Sequence, residues 1–179
     1  MIFLALTDFV DGKYNLPAAS SGIAATNSEV QSYIDSYEKT YIYRLLGVEL
    51  GNLIIAYKQA GGTGNTDYDK IIGAFSENTA LFCGQINQSL GIKEYLQACI
   101  YYEYKKDSAY TESLAGTIKA DAEVSEGVNA STIMRKAERV FNAILPTIEA
   151  IQAMCESNSV AYAGYAGQRI AVKGHQFFI

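Results

Sequence analysis

The side chains that could do chemistry in this chain are few and far apart. His175 is the only histidine, and the three cysteines, Cys83, Cys99 and Cys155, are widely spaced with no CxxC pair. Structural zinc sites need closely spaced thiolate and imidazole ligands, so no metal set can be assembled from this spacing. A nucleophilic triad needs an imidazole oriented by an acid, and His175 has neither an acid nor a cysteine near it. It is therefore expected to be an ordinary tail residue. Cys99 and Cys155 fall on apolar helical faces, where a free thiol packs as a small hydrophobe and implies a reducing compartment.

Two loops invite a closer look. GGTGNTDYDK, from Gly61, has the glycines of a phosphate loop but no GK[ST] ending and no clear preceding strand. As a calcium loop counted from Asn65 it fails as well: Lys70 stands where a glycine is required, and Ser76 where the closing glutamate belongs. A solvated loop is expected. Asp121, Glu123 and Glu126 could be paired carboxylates, but in a loop they are expected to form a solvated rim. Arg135, Lys136 and Arg139 make a small basic patch, expected to be solvated or else to touch a partner.

One charge is placed where it must find a partner. On a helix from Gly91 to Asp107, GIKEYLQACIYYEYKKD, the apolar face holds Ile92, Tyr95, Leu96, Cys99 and Ile100, and Glu103 falls among them. Lys93, Gln97, Tyr101 and Lys105 take the opposite face, which puts Tyr101 in water. Arg44 projects near Tyr33, Tyr37 and Tyr41 on an earlier helix. An unpaired buried charge costs several kcal/mol, so Glu103 is expected to bond Arg44 as a structural ion pair, or a tyrosine hydroxyl. A general-acid role for Glu103 is the alternative. Buried charge and displayed tyrosine suit contact with other proteins more than the processing of a small molecule. No catalytic, cofactor or metal site is expected, and the chain is expected not to be an enzyme.

The elements that would carry these residues are mainly helical. At 179 residues, 49% apolar and only 18% charged, the chain suits one core-forming domain with weakly charged surface left over for an oligomer. Its net charge of −5 and lack of a basic run argue against binding nucleic acid through phosphates, though DNA could slide past such a surface. MIFLAL lacks a basic leader and is cut short by Asp8 and Asp11, so no secretion signal is expected. No apolar run approaches the ~18 residues of a membrane span.

Residues 1–25 read as an irregular N-terminal arm, with Asp11-Gly12 as a turn. Residues 26–157 form the helical core. Its first helix starts at a cap among Thr26, Asn27 and Ser28, and Asp35 and Lys39 form an i,i+4 pair on its outside. Gly47 breaks or bends it, and a second helix runs to Gln59. A short helix covers 67–73, and an extended stretch with Leu81, Phe82 and Cys83 follows over 74–90. After the helix at 92–107, residues 111–128 read as a β-hairpin or long excursion. A helix from Ser131 to about Glu156 follows, kinked at Pro146, with Ile133, Ala137, Val140, Phe141, Ile144, Ile148, Ile151 and Cys155 on its face. The fold expected is a bundle of four to five helices with extended arms. Residues 158–179 form a C-terminal docking tail in which Tyr162, Tyr165, Phe177 and Phe178 are aromatic anchors between glycines. A tail folded back on its own helices is nearly as good a reading.

DFVDGKY, YIYRLLGVEL, GIKEYLQACIYYEYKKD and AGTIKADAEVSEGVNAS follow one another in this order. Over residues 8 to 157 the chain resembles the head-to-tail connector, or neck adaptor, proteins of tailed bacteriophages. The resemblance implies a structural virion protein, assembled in the host bacterial cytoplasm. It implies a homo-oligomeric ring, about twelve-fold, between portal protein and tail. Such a ring would extend the channel for packaged DNA and dock the next neck component, with no enzyme activity, cofactor or metal. Two other classes fit the residues: a helical adaptor or regulator that binds one cellular partner through its tail, and a small enzyme with a site built from loops 61–69 and 111–128.

Overall fold

A computed structural model describes residues 2–20, 24–78, 86–114 and 130–173. The fold is mainly helical with one two-stranded antiparallel hairpin. In chain order the elements are α1 (Pro17–Ser20), α2 (Ala24–Leu46), α3 (Val48–Gln59), α4 (Thr66–Ile72), β1 (Phe75–Asn78), β2 (Ile86–Ser89), α5 (Ile92–Leu114), α6 (Ala130–Asn142) and α7 (Leu145–Ser157). Two 3₁₀ turns, Leu6–Phe9 and Gly12–Tyr14, precede α1.

α5 is the axis of the bundle. From Tyr95 to Glu103 nearly every side chain is buried, because α2, α6 and the N-terminal 3₁₀ turns pack on different sides of it. Helical periodicity sees the faces turned to α2 and α6 but not the third cover. The N-terminal segment is therefore no free arm: Leu4, Phe9, Tyr14 and Leu16 are buried in the common core. The Tyr14 ring meets Tyr101 edge-on at 6.2 Å, and Gln97 Nε2 donates to the Asp8 carbonyl at 2.8 Å. Lys93 pairs with Asp8 at 2.7 Å. Tyr101, expected in water, is only 3% exposed.

The α2–α3 break falls at Gly47, as its residue type suggests. Gly47 has φ 85° and ψ 167°, which a side chain rarely tolerates, and a Cβ there would lie 2.8 Å from the Ala166 nitrogen. The glycine loop after α3 ends in a helix cap. Asn65 Oδ1 accepts from the amides of Asp67 and Tyr68, both at 3.1 Å, and so starts α4.

The β structure lies in the stretch left as merely extended. β1 and β2 pair Phe75 with Ser89 and Asn78 with Ile86. The Leu90 amide donates to Thr147 Oγ1 at 3.1 Å, tying the hairpin to α7. Of the hairpin or excursion expected over 111–128, the first four residues extend α5 instead, and 115–129 lie outside the described residues. The last long helix is likewise two helices, not one kinked helix. Pro146 has no N–H to continue α6 and a φ suited to a first turn, so α6 stops at Asn142 and α7 begins at Leu145. Most of the expected apolar face survives this break: Ala137, Phe141, Ile144, Ile148, Ile151 and Cys155 are buried, while Ile133 and Val140 are half-buried.

Candidate functional site

The buried carboxylate at the α2–α5 seam is satisfied by a different pair from the one expected. Glu103 is 7% exposed, its Oε1 accepts from the Tyr41 hydroxyl at 2.5 Å, and its Oε2 meets Lys106 Nζ at 3.0 Å. The Arg44–Glu103 ion pair does not form. Arg44 leans outward, with its guanidinium 5.1 Å from the centre of the Tyr41 ring, while Lys106 sits one helical turn from Glu103 and reaches it at lower cost. The tyrosine alternative is the one realised. Burial, reinforced by Cys99 and the Glu103 bond, pushes the Tyr41 hydroxyl far above its ordinary range, so it stays a donor. The bond to Glu103 also holds the Lys106 ammonium above the usual lysine range.

Around this group lies a seam of aromatic rings. Tyr33, Tyr37 and Tyr41 follow one another along α2 at 5.8 and 6.2 Å, and Tyr41 meets Tyr95 of α5 at 6.2 Å. Their polar ends are engaged locally: Tyr33 donates to Asp107 at 2.8 Å, and Tyr95 to the Tyr41 carbonyl at 3.2 Å. Such a seam fixes the register of two helices. Cys99 and Cys155 are buried free thiols. Burial raises both, Cys155 to about 12, so neither is a thiolate near neutral pH. No cluster of three metal-ligating side chains occurs among the described residues. None of their helices is long and apolar enough to cross a membrane. Cys83 and His175 lie outside the described residues.

Through Lys173 the tail is bound to its own chain. Tyr162 is 1% exposed and its hydroxyl donates to the Asp67 carbonyl at 2.8 Å, while Tyr165 packs on the core edge. Tyr162 is therefore spent on its own chain, and Tyr165 is half-buried. The reason is local: α2 ends at Gly47 with orphan carbonyls, and the tail supplies their donors. The Ala166 amide bonds Leu46 O at 3.0 Å, and the Gln168 amide bonds Arg44 O at 2.7 Å. The tail then runs back along α7, where Gln152 Nε2 donates to the Gln168 carbonyl. It reaches Asn142, whose side chain exchanges two bonds with the Lys173 backbone at 2.8 and 2.9 Å. Phe177 and Phe178, the remaining expected anchors, lie outside the described residues.

Large apolar side chains are exposed in several places, among them Leu90 after β2, Val172 in the tail, and residues of α3 and the tail turn. Val48 is 61% exposed, Leu53 45% and Val160 91%. Glu49 packs side-on against Gly164, which brings the start of α3 against the tail turn. Beside them is an open cleft of about 640 Å³ lined by Tyr43, Arg44, Val48, Glu49, Gly164 and Gln168.

Glu38 is the buried group that sequence reasoning missed. It is 4% exposed and accepts from three backbone amides, those of Ile2, Phe3 and Leu4, at 3.1, 2.7 and 2.9 Å. The signal was present: Glu38 stands four residues after Ile34 and three before Tyr41, within the apolar stripe of α2. No known protein family, curated protein or solved structure matches this chain.

Proposed function

We propose that this chain is a structural assembly subunit. It forms a ring in the neck of a tailed-phage virion, between portal protein and tail, extends the DNA channel and docks the next neck component. It acts through contact alone, without catalysis or cofactor. The observation that supports the assembly part is the exposed apolar side chain of Val48 on the wall of an open cleft, with Leu53 also exposed on α3. An exposed apolar side chain at a cleft suits a contact surface. The neck location rests on the sequence resemblance. The aromatic residues Phe177 and Phe178, just beyond the anchored tail, are assigned to a neighbouring chain.

Native mass measurement, on the chain alone and with portal rings, tests the reading. A closed ring of about twelve copies is expected. A monomer or dimer under both conditions refutes the ring and favours the single-partner adaptor. Leu53→Lys should remain helical and lose the ring. Truncation must fall after Lys173, since a cut at residue 160 would remove the core residue Tyr162. The chain ending at Lys173 should fold and fail to assemble; normal assembly would remove the aromatic end from the proposal.

A further inference from the structure

α6 and α7 follow one another in the chain and carry opposite charge. α6 has Arg135, Lys136 and Arg139 against one acid, Glu138, whereas α7 has Glu149 and Glu156 and no cation. At the helical spacing the three cations share one side of α6, and all are exposed. Glu138 lies off that side and is half-buried. Glu149 and Glu156 stand two turns apart on one side of α7, and both are exposed. Neither stripe is neutralised within the chain. The side chains of Lys136, Arg139, Glu149 and Glu156 make no ion pair or hydrogen bond among the described residues. Arg169, on the tail that runs along α7, meets neither carboxylate. Each stripe also has an apolar flank that stays partly open. Ile133 and Val140 stand three before and four after Lys136, Leu145 and Ala153 stand four to either side of Glu149, and all four are half-buried.

We infer that the outer face of α6 in one copy docks on the outer face of α7 in the next. The complement to each stripe is carried by the chain itself, which makes a second copy the occupant. The two helices have 13 residues each, so their faces match in length, at about 20 Å. Like faces repel, so α6 against α6 and α7 against α7 are both disfavoured, and opposite charge sets partner and register. DNA would match α6 alone and leave the acidic face of α7 unmet. A contact between unlike faces uses one face of each copy and leaves the other for a further copy, the heterologous geometry that closes into rings. The inference rests on the ring reading above and names the faces by which neighbouring copies meet.

Two double variants of the full chain test this, Lys136→Glu with Arg139→Glu and Glu149→Lys with Glu156→Lys, by native mass measurement and sedimentation, alone and on portal rings. Each should keep its helical circular dichroism and weaken self-association by about a hundredfold or more, since like charges then face each other. An equal mixture of the two should regain the parent's assembly, because every reversed face again meets its opposite; a variant that had merely misfolded gains nothing from mixing. The chain with all four reversals should assemble as the parent does. Added salt should weaken the parent's assembly. A parent ring indifferent to both variants, or lost in each and not restored by mixing, overturns this docking and leaves the ring reading standing. Loss of duplex DNA binding in the α6 variant, with assembly intact, overturns it in favour of a nucleic-acid face. A closed dimer that shows the mixing rescue supports the α6–α7 contact and removes the ring. A parent that stays monomeric under both conditions overturns both.

Discussion

Replacing Glu38 tests how the N-terminal segment is held. Its Oε1 accepts from the Phe3 and Leu4 amides and its Oε2 from the Ile2 amide. Glu38→Gln is nearly isosteric and separates charge from shape. If the amide oxygen takes the Oε1 position, the two bonds there survive as neutral ones, while an NH₂ now faces the Ile2 N–H. Hydrogen bonds to a charged group contribute about 1.5–3 kcal/mol each, roughly twice the neutral ones, and they are not additive. The expected cost is about 2–3 kcal/mol for Glu38→Gln. For Glu38→Ala, which strands all three amides, it is about 3–5 kcal/mol. With a urea m-value of about 2 kcal/mol/M, the glutamine variant should lose about 1–1.5 M in its midpoint. Hydrogen exchange should show the Phe3 and Leu4 amides deprotected before the core of α5. A midpoint unchanged within about 0.3 M, with those two amides still protected, would refute the claim that the carboxylate holds this segment.

Two further outcomes follow from the structure. Gly47→Ala forces a side chain into φ 85° and against the Ala166 backbone, so it should cost about 2–4 kcal/mol; a thermal midpoint equal to the parent's would contradict the close approach of the tail. Burial raises Tyr165 to about 12 and Tyr14, Tyr41 and Tyr95 further, so the folded chain keeps protons that the unfolded chain releases from about pH 10. Their contribution to stability is therefore complete below pH 10 and lost as pH rises beyond it, by up to about 1.4 kcal/mol per unit for each such hydroxyl. Absorbance at 295 nm should show part of the tyrosinate appearing only with cooperative alkaline unfolding, whereas uniform ionisation of all 14 tyrosines near pH 10 with helicity intact would count against it.

Helical class, the Gly47 break and the apolar faces of α5 to α7 were legible because each depends on residues near one another in sequence. The buried state of Glu103 and its tyrosine partner were legible too, since its phase on α5 left it no other place. Three things were not. Tyr101 was assigned to water because a single-helix projection has no means of showing a third cover supplied by residues 80 or more positions away. Arg44 was paired with Glu103 because charge and phase agreed, but side-chain reach favoured Lys106 on the same helix. The choice between a docking tail and one folded back is not legible, because the tail's bonds go to backbone carbonyls of α2 and a carbonyl leaves no mark in a sequence. Pro146 shows the remaining kind of error: proline was read for the bond it removes and not for the first turn it favours.

The tail's bonds to α2 also set an order in time. The carbonyls of Arg44 and Leu46 and the amides of Gln168 and Ala166 that meet them are separated by about 120 residues. At translation speeds of roughly 5–20 residues per second, α2 leaves the ribosome on the order of ten seconds before the segment that seals its end. Closing so long a loop adds an entropic barrier that grows only slowly with length, so delay in synthesis outweighs the cost of the search. During that interval Gly47 has no neighbour pressed against it, and the elbow between α2 and α3 can flex. Its surface beside Val48 takes its final shape only when the segment carrying Ala166 and Gln168 is laid down, which makes the cleft there a late product of synthesis.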